Sequence, residues 1–185
     1  MRNLDVTNIP KFGRTKSLIR CLTEFHNVNN GKFSIVEIGC IRGKNKGSQL
    51  GDGWSTLAFG WYCSNYNGQL YTIDNKQKAI DICKKVVSEY SSSIVYLCGD
   101  SLVGLQKIKD MEIEINLLYL DGSANPECSY NEYNLIKDNL ASSSIVLIDD
   151  VHIKGELVVP QLKKEGWTDL GIIETQQLFI RSLGE

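Results

Sequence analysis

Acidic residues stand where the apolar runs of this 185-residue chain stop. Asp74 closes the run Gln-Leu-Tyr-Thr-Ile, Asp121 follows INLLYL, and Asp149 and Asp150 follow SSIVLI; Asp100 lies just past a fourth run, IVYLC. A single aspartate at such a place is an ordinary loop start or helix cap. A set in register around one rim is a candidate site. Asp74 is placed to accept both ribose hydroxyls of an adenosine, since an ionised carboxylate takes two strong charge-assisted bonds. Asp100 has two readings: acceptor for an adenine exocyclic amine, or cap of the helix that follows it. Asp121, Asp149 and Asp150 come from adjacent strand ends and can converge. Three carboxylates without clustered thiols or imidazoles suit a hard divalent cation such as Mg²⁺. His152 lies two residues beyond Asp150 and has three readings: base, metal ligand or surface residue.

These residues need a frame. The stretch Phe33–Phe59, FSIVEIGCIRGKNKGSQLGDGWSTLAF, reads as a buried strand, a glycine break at Gly39, a long loop Arg42–Asp52 and a helix start at Gly53-Trp54-Ser55-Thr56. Strand, glycine turn and helix N-terminus together make a nucleotide-type pocket: the turn lets a ligand approach the backbone, and the helix end offers free N–H groups. The candidate residues there are Glu37, Gly39, Trp54 and Ser55. The loop Arg42–Asp52 reads either as a solvated surface loop or as a flap over the pocket.

Upstream, residues 1–16 read as an arm, and Ser17–Val28 as an amphipathic helix. Downstream, strands over Gln69–Asp74, Ile94–Cys98, Ile115–Leu120 and Ser144–Ile148 alternate with helices. Asn75 is the expected cap of the first of these. Its stripe, Ala79, Ile82, Cys83, Val86, Val87 and Tyr90, has clear helical spacing. Shorter helices are predicted over Leu102–Ile108, Tyr130–Leu140 and Leu157–Glu165. Only Glu174-Thr175-Gln176 separate two last strands, Trp167–Ile173 and Gln177–Arg181, so these must form an antiparallel hairpin. Continuous apolar strands such as INLLYL are buried on both faces, as in a parallel sheet covered by helices. The fold class is therefore α/β, an open doubly wound sheet in one domain, with ligands expected outside the carboxyl ends of the strands.

Composition narrows the function. The formal net charge is -2, with no Lys/Arg run long enough for a nucleic-acid face. No apolar stretch approaches membrane-spanning length, and the N-terminus lacks the apolar core of a signal peptide. None of the six cysteines sits in a CxxC pair. Free thiols and a cytoplasmic location are expected.

With those motifs in hand, the chain resembles the class I S-adenosylmethionine-dependent methyltransferases over about Ser17–Leu183. VEIGCIRG…GWST looks like the family's first motif, YTIDN like the second, and CGDS like the adenine-side segment. Within the class it is closest to metal-dependent O-methyltransferases and the small group called methyltransferase family 24; LDGSANPECSY and VLIDDVH look like that group's fourth and fifth strand ends. The resemblance implies a Rossmann-like sheet of seven strands in the order 3-2-1-4-5-7-6. It implies S-adenosylmethionine held by Glu37, Gly39, Trp54, Ser55, Asp74, Asp100, Ser101 and Asp121, and Mg²⁺ or another divalent cation held by Asp121, Asp149 and Asp150. The candidate catalytic residues are His152 and Asp121, and the partner is a small-molecule methyl acceptor, with no nucleic acid and no membrane; a homodimer is left open.

Two features depart from the resemblance. The first motif is interrupted by roughly ten residues before Gly53. Catechol-type enzymes carry a lysine three residues after the first metal aspartate, and here that place is Ala124. His152, Lys154 or a metal-bound substrate alkoxide stand as replacements. Two other readings remain at this stage: a nucleotide-dependent oxidoreductase, against which the terminal hairpin argues, and a non-catalytic cofactor-binding module.

Overall fold

The computed structural model describes residues 4–10, 14–29, 31–51 and 54–181. Asp52 and Gly53, which figure in the sequence motifs, lie outside these residues. Seven strands form one sheet: β1 Phe33–Ile38, β2 Gly68–Asp74, β3 Ile94–Cys98, β4 Ile115–Leu120, β5 Leu140–Ile148, β6 Thr168–Ile173 and β7 Gln176–Arg181. Their order is β3-β2-β1-β4-β5-β7-β6, with β1 to β5 parallel and β7 antiparallel to both β5 and β6. This is the arrangement expected from the sequence.

Side chains alternate across each strand, and the alternation builds two cores. Phe33, Ile35, Leu117, Tyr119, Ile145 and Leu147 face one layer, made by α1 (Thr15–Val28), α3 (Ser55–Asn65) and α4 (Gln77–Val86). Val36, Ile38, Leu118, Leu120, Val146 and Ile148 face the other, made by α5 (Ser101–Asp110), α6 (Pro126–Ile136) and α7 (Val151–Lys164). Each fully buried Leu or Ile contributes roughly 2 kcal/mol to holding the layers together.

Strand register sets the rim. Ile38 pairs with Ile73 and with Leu120, and Leu120 pairs with Ile148. The next residues, Gly39, Asp74, Asp121 and Asp149, therefore leave the sheet side by side. The ladder extends one step into them: Gly39 N–H donates to the Ile73 carbonyl at 2.8 Å, Asp121 N–H to Ile38 at 3.1 Å, and Asp149 N–H to Leu120 at 3.1 Å.

Several local expectations change. The loop Arg42–Asp52 contains a short helix, α2 (Lys46–Gly51), opened by Asn45, whose side chain accepts from Ser48 N–H at 2.8 Å. The cap of α4 is Lys76, not Asn75, and the Asp74 carboxylate takes the Lys76 N–H at 2.8 Å. The α4 stripe ends at Val86, and a 3₁₀ segment, Ser88–Ser93, carries the rest. The helix α6 begins at Pro126 because Asn125 caps it, and α7 begins at Val151, six residues earlier than the pattern suggests. Asp150, at φ 42°, makes the turn that starts α7 directly from β5. All six cysteines are free thiols, and no helix among the described residues is long and apolar enough to cross a membrane.

Candidate active site

A groove of about 410 Å³ runs along the carboxyl ends of β1, β2, β3 and β4. Gly39, Asp74, Asp100, Ser101 and Asp121 line it, so five of the eight predicted cofactor residues meet there. Gly39 is required by two constraints. Its φ of +90° favours glycine, and a Cβ would lie 2.5 Å from the Asp121 carbonyl oxygen. The Asp74 carboxylate is fixed by backbone donors, Lys76 N–H at 2.8 Å and Cys40 N–H at 3.3 Å. Each carboxylate oxygen has more than one acceptor position, so Asp74 keeps capacity toward the groove. Asp100 does what a cap does: its Oδ1 accepts from Leu102 N–H at 2.9 Å and from Val103 N–H at 3.4 Å. It also lines the groove, so its two sequence readings are compatible.

Three predicted cofactor residues, Glu37, Trp54 and Ser55, do not line the groove. Glu37 is fully buried beneath α3, where its carboxylate accepts from the hydroxyls of Ser55 at 2.5 Å, Thr56 at 2.7 Å and Thr72 at 2.7 Å. It lies two residues before the strand turn, and a strand side chain at that position points into a layer, not over the rim. Burial pushes its carboxyl up to about 7, against the pull of the three hydroxyls. Ser55 is spent on the same anchor. Trp54, in the left-handed region at φ 52°, packs on the core layer of α1, α3 and α4.

Beyond the groove lies a polar chamber of about 210 Å³, lined by Arg14, Arg42, Asp121, Gly122, Ala124, Asp149, Asp150 and Lys154. It shares Arg42, Asp121 and Gly122 with the groove. Asp121, Asp149 and Asp150 each offer an oxygen within 4.8 Å of the others, the convergence expected from the sequence. Two cations sit among them. Lys154, only 3% exposed, donates to Asp121 Oδ1 at 2.6 Å and lies 3.9 Å from Asp149 Oδ2 and 3.7 Å from Asp150 Oδ2. Arg14 pairs with Asp149 and lies 3.6 Å from Asp150. Burial raises the Asp121 carboxyl above the ordinary aspartate range, and Lys154, Arg14 and Arg42 pull it back.

The terminal hairpin closes this chamber. Thr175 Oγ1 and Gln176 Nε2 each donate to Asp149 Oδ1 at 3.2 Å, and Gln176 Nε2 also reaches Tyr119 Oη at 2.6 Å. Glu174 accepts from Ser17 N–H at 3.2 Å and Ser17 Oγ at 2.9 Å, capping α1 and setting Arg14 over Asp149. His152, the predicted catalytic residue, is not in the chamber. It is exposed on the outer side of α7, beside Gly155, Val159 and Ile172. Helical geometry explains the placement: two residues turn the side chain about 200° around α7 from Asp150, whereas Lys154, four on, returns to the same face.

Sequence reasoning missed Arg14 and Glu132. Arg14 belongs to a polar arm with no periodic signal. Glu132 is 1% exposed, lines the groove and bonds with Ser101, and its Oε2 has no partner. Its carboxyl is pushed up to about 7 by burial. A signal for it exists: it shares the inward face of α6 with Ser129, Tyr133 and Ile136, at spacings of three and four.

The sheet order, the glycine turn beside the Asp74 carboxylate and the groove along the strand ends are those of a class I S-adenosylmethionine-dependent methyltransferase. The profile of methyltransferase family 24, described as a methyltransferase domain, matches residues 49–151, more than half of the chain, and the chain belongs to that family. No curated protein sequence matches. Among solved structures, a Staphylococcus aureus protein provisionally assigned as a caffeoyl-CoA O-methyltransferase aligns with TM-score 0.66 and 18% identity, over 96% of this chain and 88% of its own. CalS11, a TDP-rhamnose 3'-O-methyltransferase of calicheamicin biosynthesis, aligns with TM-score 0.67 and 15% identity, over 89% of this chain and 76% of its own. MycE, from mycinamycin biosynthesis and bound to Mg, SAH and mycinamycin VI, aligns with TM-score 0.59 and 16% identity, over 85% of this chain; this chain spans 47% of MycE.

Proposed function

We propose that the chain transfers the methyl group of S-adenosylmethionine to a hydroxyl oxygen of a small molecule. One observation carries the reading. The groove that suits the cofactor and the polar chamber that suits an acceptor meet at Asp121 and Gly122. Gly39 admits the cofactor's methionine part, Asp74 takes the ribose hydroxyls, and Asp100, Ser101 and Glu132 surround the adenine end. The acceptor oxygen sits in the chamber against Asp121, Asp149, Asp150 and Lys154. In the reaction the acceptor O–H gives its proton to water, the oxygen lone pair forms the bond to the methyl carbon, and the C–S bonding pair stays on sulfur. The protein aligns the two reactants and sets the field around the oxygen. The O-methyltransferase neighbours support an oxygen acceptor.

The Mg²⁺ expected from the sequence is supported by the convergence of the three aspartates and by the Mg in the MycE complexes. As a donor set the aspartates suit a hard divalent cation. Cations already face them, however: Arg14 and Lys154 pair with these carboxylates, and Arg42 lines the same chamber. A divalent cation held by these oxygens would have to displace Lys154 and Arg14 from them. The residues as arranged do not offer an open divalent site, and no step here runs through a metal.

Calorimetric titration with S-adenosylmethionine, followed by transfer of a radiolabelled methyl group to a panel of hydroxylated small molecules, tests the reading. Micromolar cofactor binding with label in an acceptor supports it. Absence of binding at millimolar cofactor sinks it. Binding without transfer to any acceptor favours the non-catalytic module.

A further inference from the structure

The geometry points to Lys154, seconded by Arg14, as the resident cation of the acceptor chamber: a fixed charge occupies the place a divalent cation would take, and its spare N–H groups face the acceptor oxygen. This rests on the methyl-transfer reading above for its chemistry, though not for its metal-binding consequence.

An ammonium carries three donors. Among the described residues, Lys154 makes one hydrogen bond of ordinary length, to Asp121 Oδ1 at 2.6 Å. Its other two near neighbours, Asp149 Oδ2 at 3.9 Å and Asp150 Oδ2 at 3.7 Å, are beyond hydrogen-bond reach. A donor buried without an acceptor is costly, and Lys154 is 3% exposed while lining the chamber. An oxygen of the acceptor entering the chamber would satisfy it. The side chain has little freedom to withdraw, because it springs from the first turn of α7 and is held from below by Asp121. Ala124, on the opposite loop, lines the same chamber and brings no charge; Lys154 is the cation that α7 contributes, beside Arg14 and Arg42.

Arg14 completes the arrangement. It reaches Asp149 and Asp150 from the start of α1, which Glu174 of the terminal hairpin caps. During methyl transfer Lys154 stabilises the negative charge that develops on the acceptor oxygen as the oxygen pair bonds to the methyl carbon. The acceptor proton goes to water and the C–S pair to sulfur, so the balance needs no further reactant.

The test is calorimetric titration of Mn²⁺ into the full chain, its Lys154→Met, Arg14→Met and Lys154→Arg variants, with S-adenosylhomocysteine titrated into the same preparations. The wild-type chain and Lys154→Arg should bind Mn²⁺ no more tightly than millimolar. Lys154→Met, which frees the three carboxylates, should gain about tenfold or more in Mn²⁺ affinity, and Arg14→Met a smaller gain. A residue with a merely structural role would produce no such gain. Micromolar Mn²⁺ binding by the wild-type chain, or unchanged affinity in Lys154→Met, overturns the inference. If Lys154→Met does not fold, the wild-type and Arg14→Met titrations decide it. Absence of S-adenosylhomocysteine binding by the wild-type chain would sink the methyl-transfer reading while the Mn²⁺ result still decides the counter-ion role.

Discussion

Asp74 and Asp149 both leave the sheet at the carboxyl end of a strand, and their surroundings differ in kind. Asp74 is held by backbone N–H groups from its own turn and from the adjacent strand end. Asp149 is held by side chains drawn from far along the chain: Arg14 before α1, Thr175 in the hairpin turn and Gln176 at the start of β7. Backbone donors orient a carboxylate and leave its charge available to a ligand. Cationic side chains orient it and neutralise it. The half of the rim proposed for the cofactor is therefore open for binding, whereas the half proposed for the acceptor is an ion network in which Arg14 and Lys154 already pair with the carboxylates.

The largest effect that separates the halves should come from Asp149→Ala. Removing one partner of a buried ion network leaves Arg14 and Lys154 short of a counter-charge and should destabilise the fold by about 3–5 kcal/mol, read by urea unfolding, with S-adenosylhomocysteine affinity little changed. If cofactor affinity fell as far as stability, the division of the rim would be wrong. Next, Asp74→Ala should weaken S-adenosylhomocysteine about 100-fold by calorimetry, the worth of two charge-assisted bonds, with a smaller loss of stability. Undiminished affinity would remove Asp74 from the ribose.

A third probe lies under the cofactor half. Glu37 and Glu132 both have carboxyls pushed up to about 7 in the fold, from an ordinary value of 4.5. The folded state therefore holds protons that the unfolded chain releases. Their contribution is complete below pH 4.5 and is lost as pH rises through 7, on the order of 3 kcal/mol for each. Glu37→Gln should flatten the decline in unfolding free energy between pH 4.5 and 7 by about half. An unchanged slope would mean that Glu37 is ionised in place. The smallest effect belongs to His152→Ala, exposed on the outer side of α7: stability within about 0.5 kcal/mol and cofactor affinity unchanged. A turnover defect in that variant, with any acceptor the wild-type chain methylates, would return His152 to the site.

The strand ends were legible because apolar runs bounded by glycine and aspartate are local signals, and the sheet needed only them. The rim positions of Gly39, Asp74, Asp100 and Asp121 followed from the strand ends, and Ser101 from the family resemblance. Glu37 was singled out by its place near a strand end, while strand alternation sends its side chain inward to Ser55, Thr56 and Thr72. The early start of α7 was hidden by Val151 and Ile153, β-branched residues that weaken a helical pattern. That shift decides which of His152 and Lys154 faces the aspartates.

The sequence by itself determined the seven strands, the antiparallel hairpin and the carboxylates on the rim, since each is encoded within a few neighbouring residues. Only the tertiary structure decided what charge those carboxylates meet. Arg14 and Asp149 are 135 positions apart, and no local pattern couples them. Their meeting depends on the docking of α1 against the hairpin turn and on the turn of α7 that brings Lys154 inward, and both are set by packing across the whole sheet.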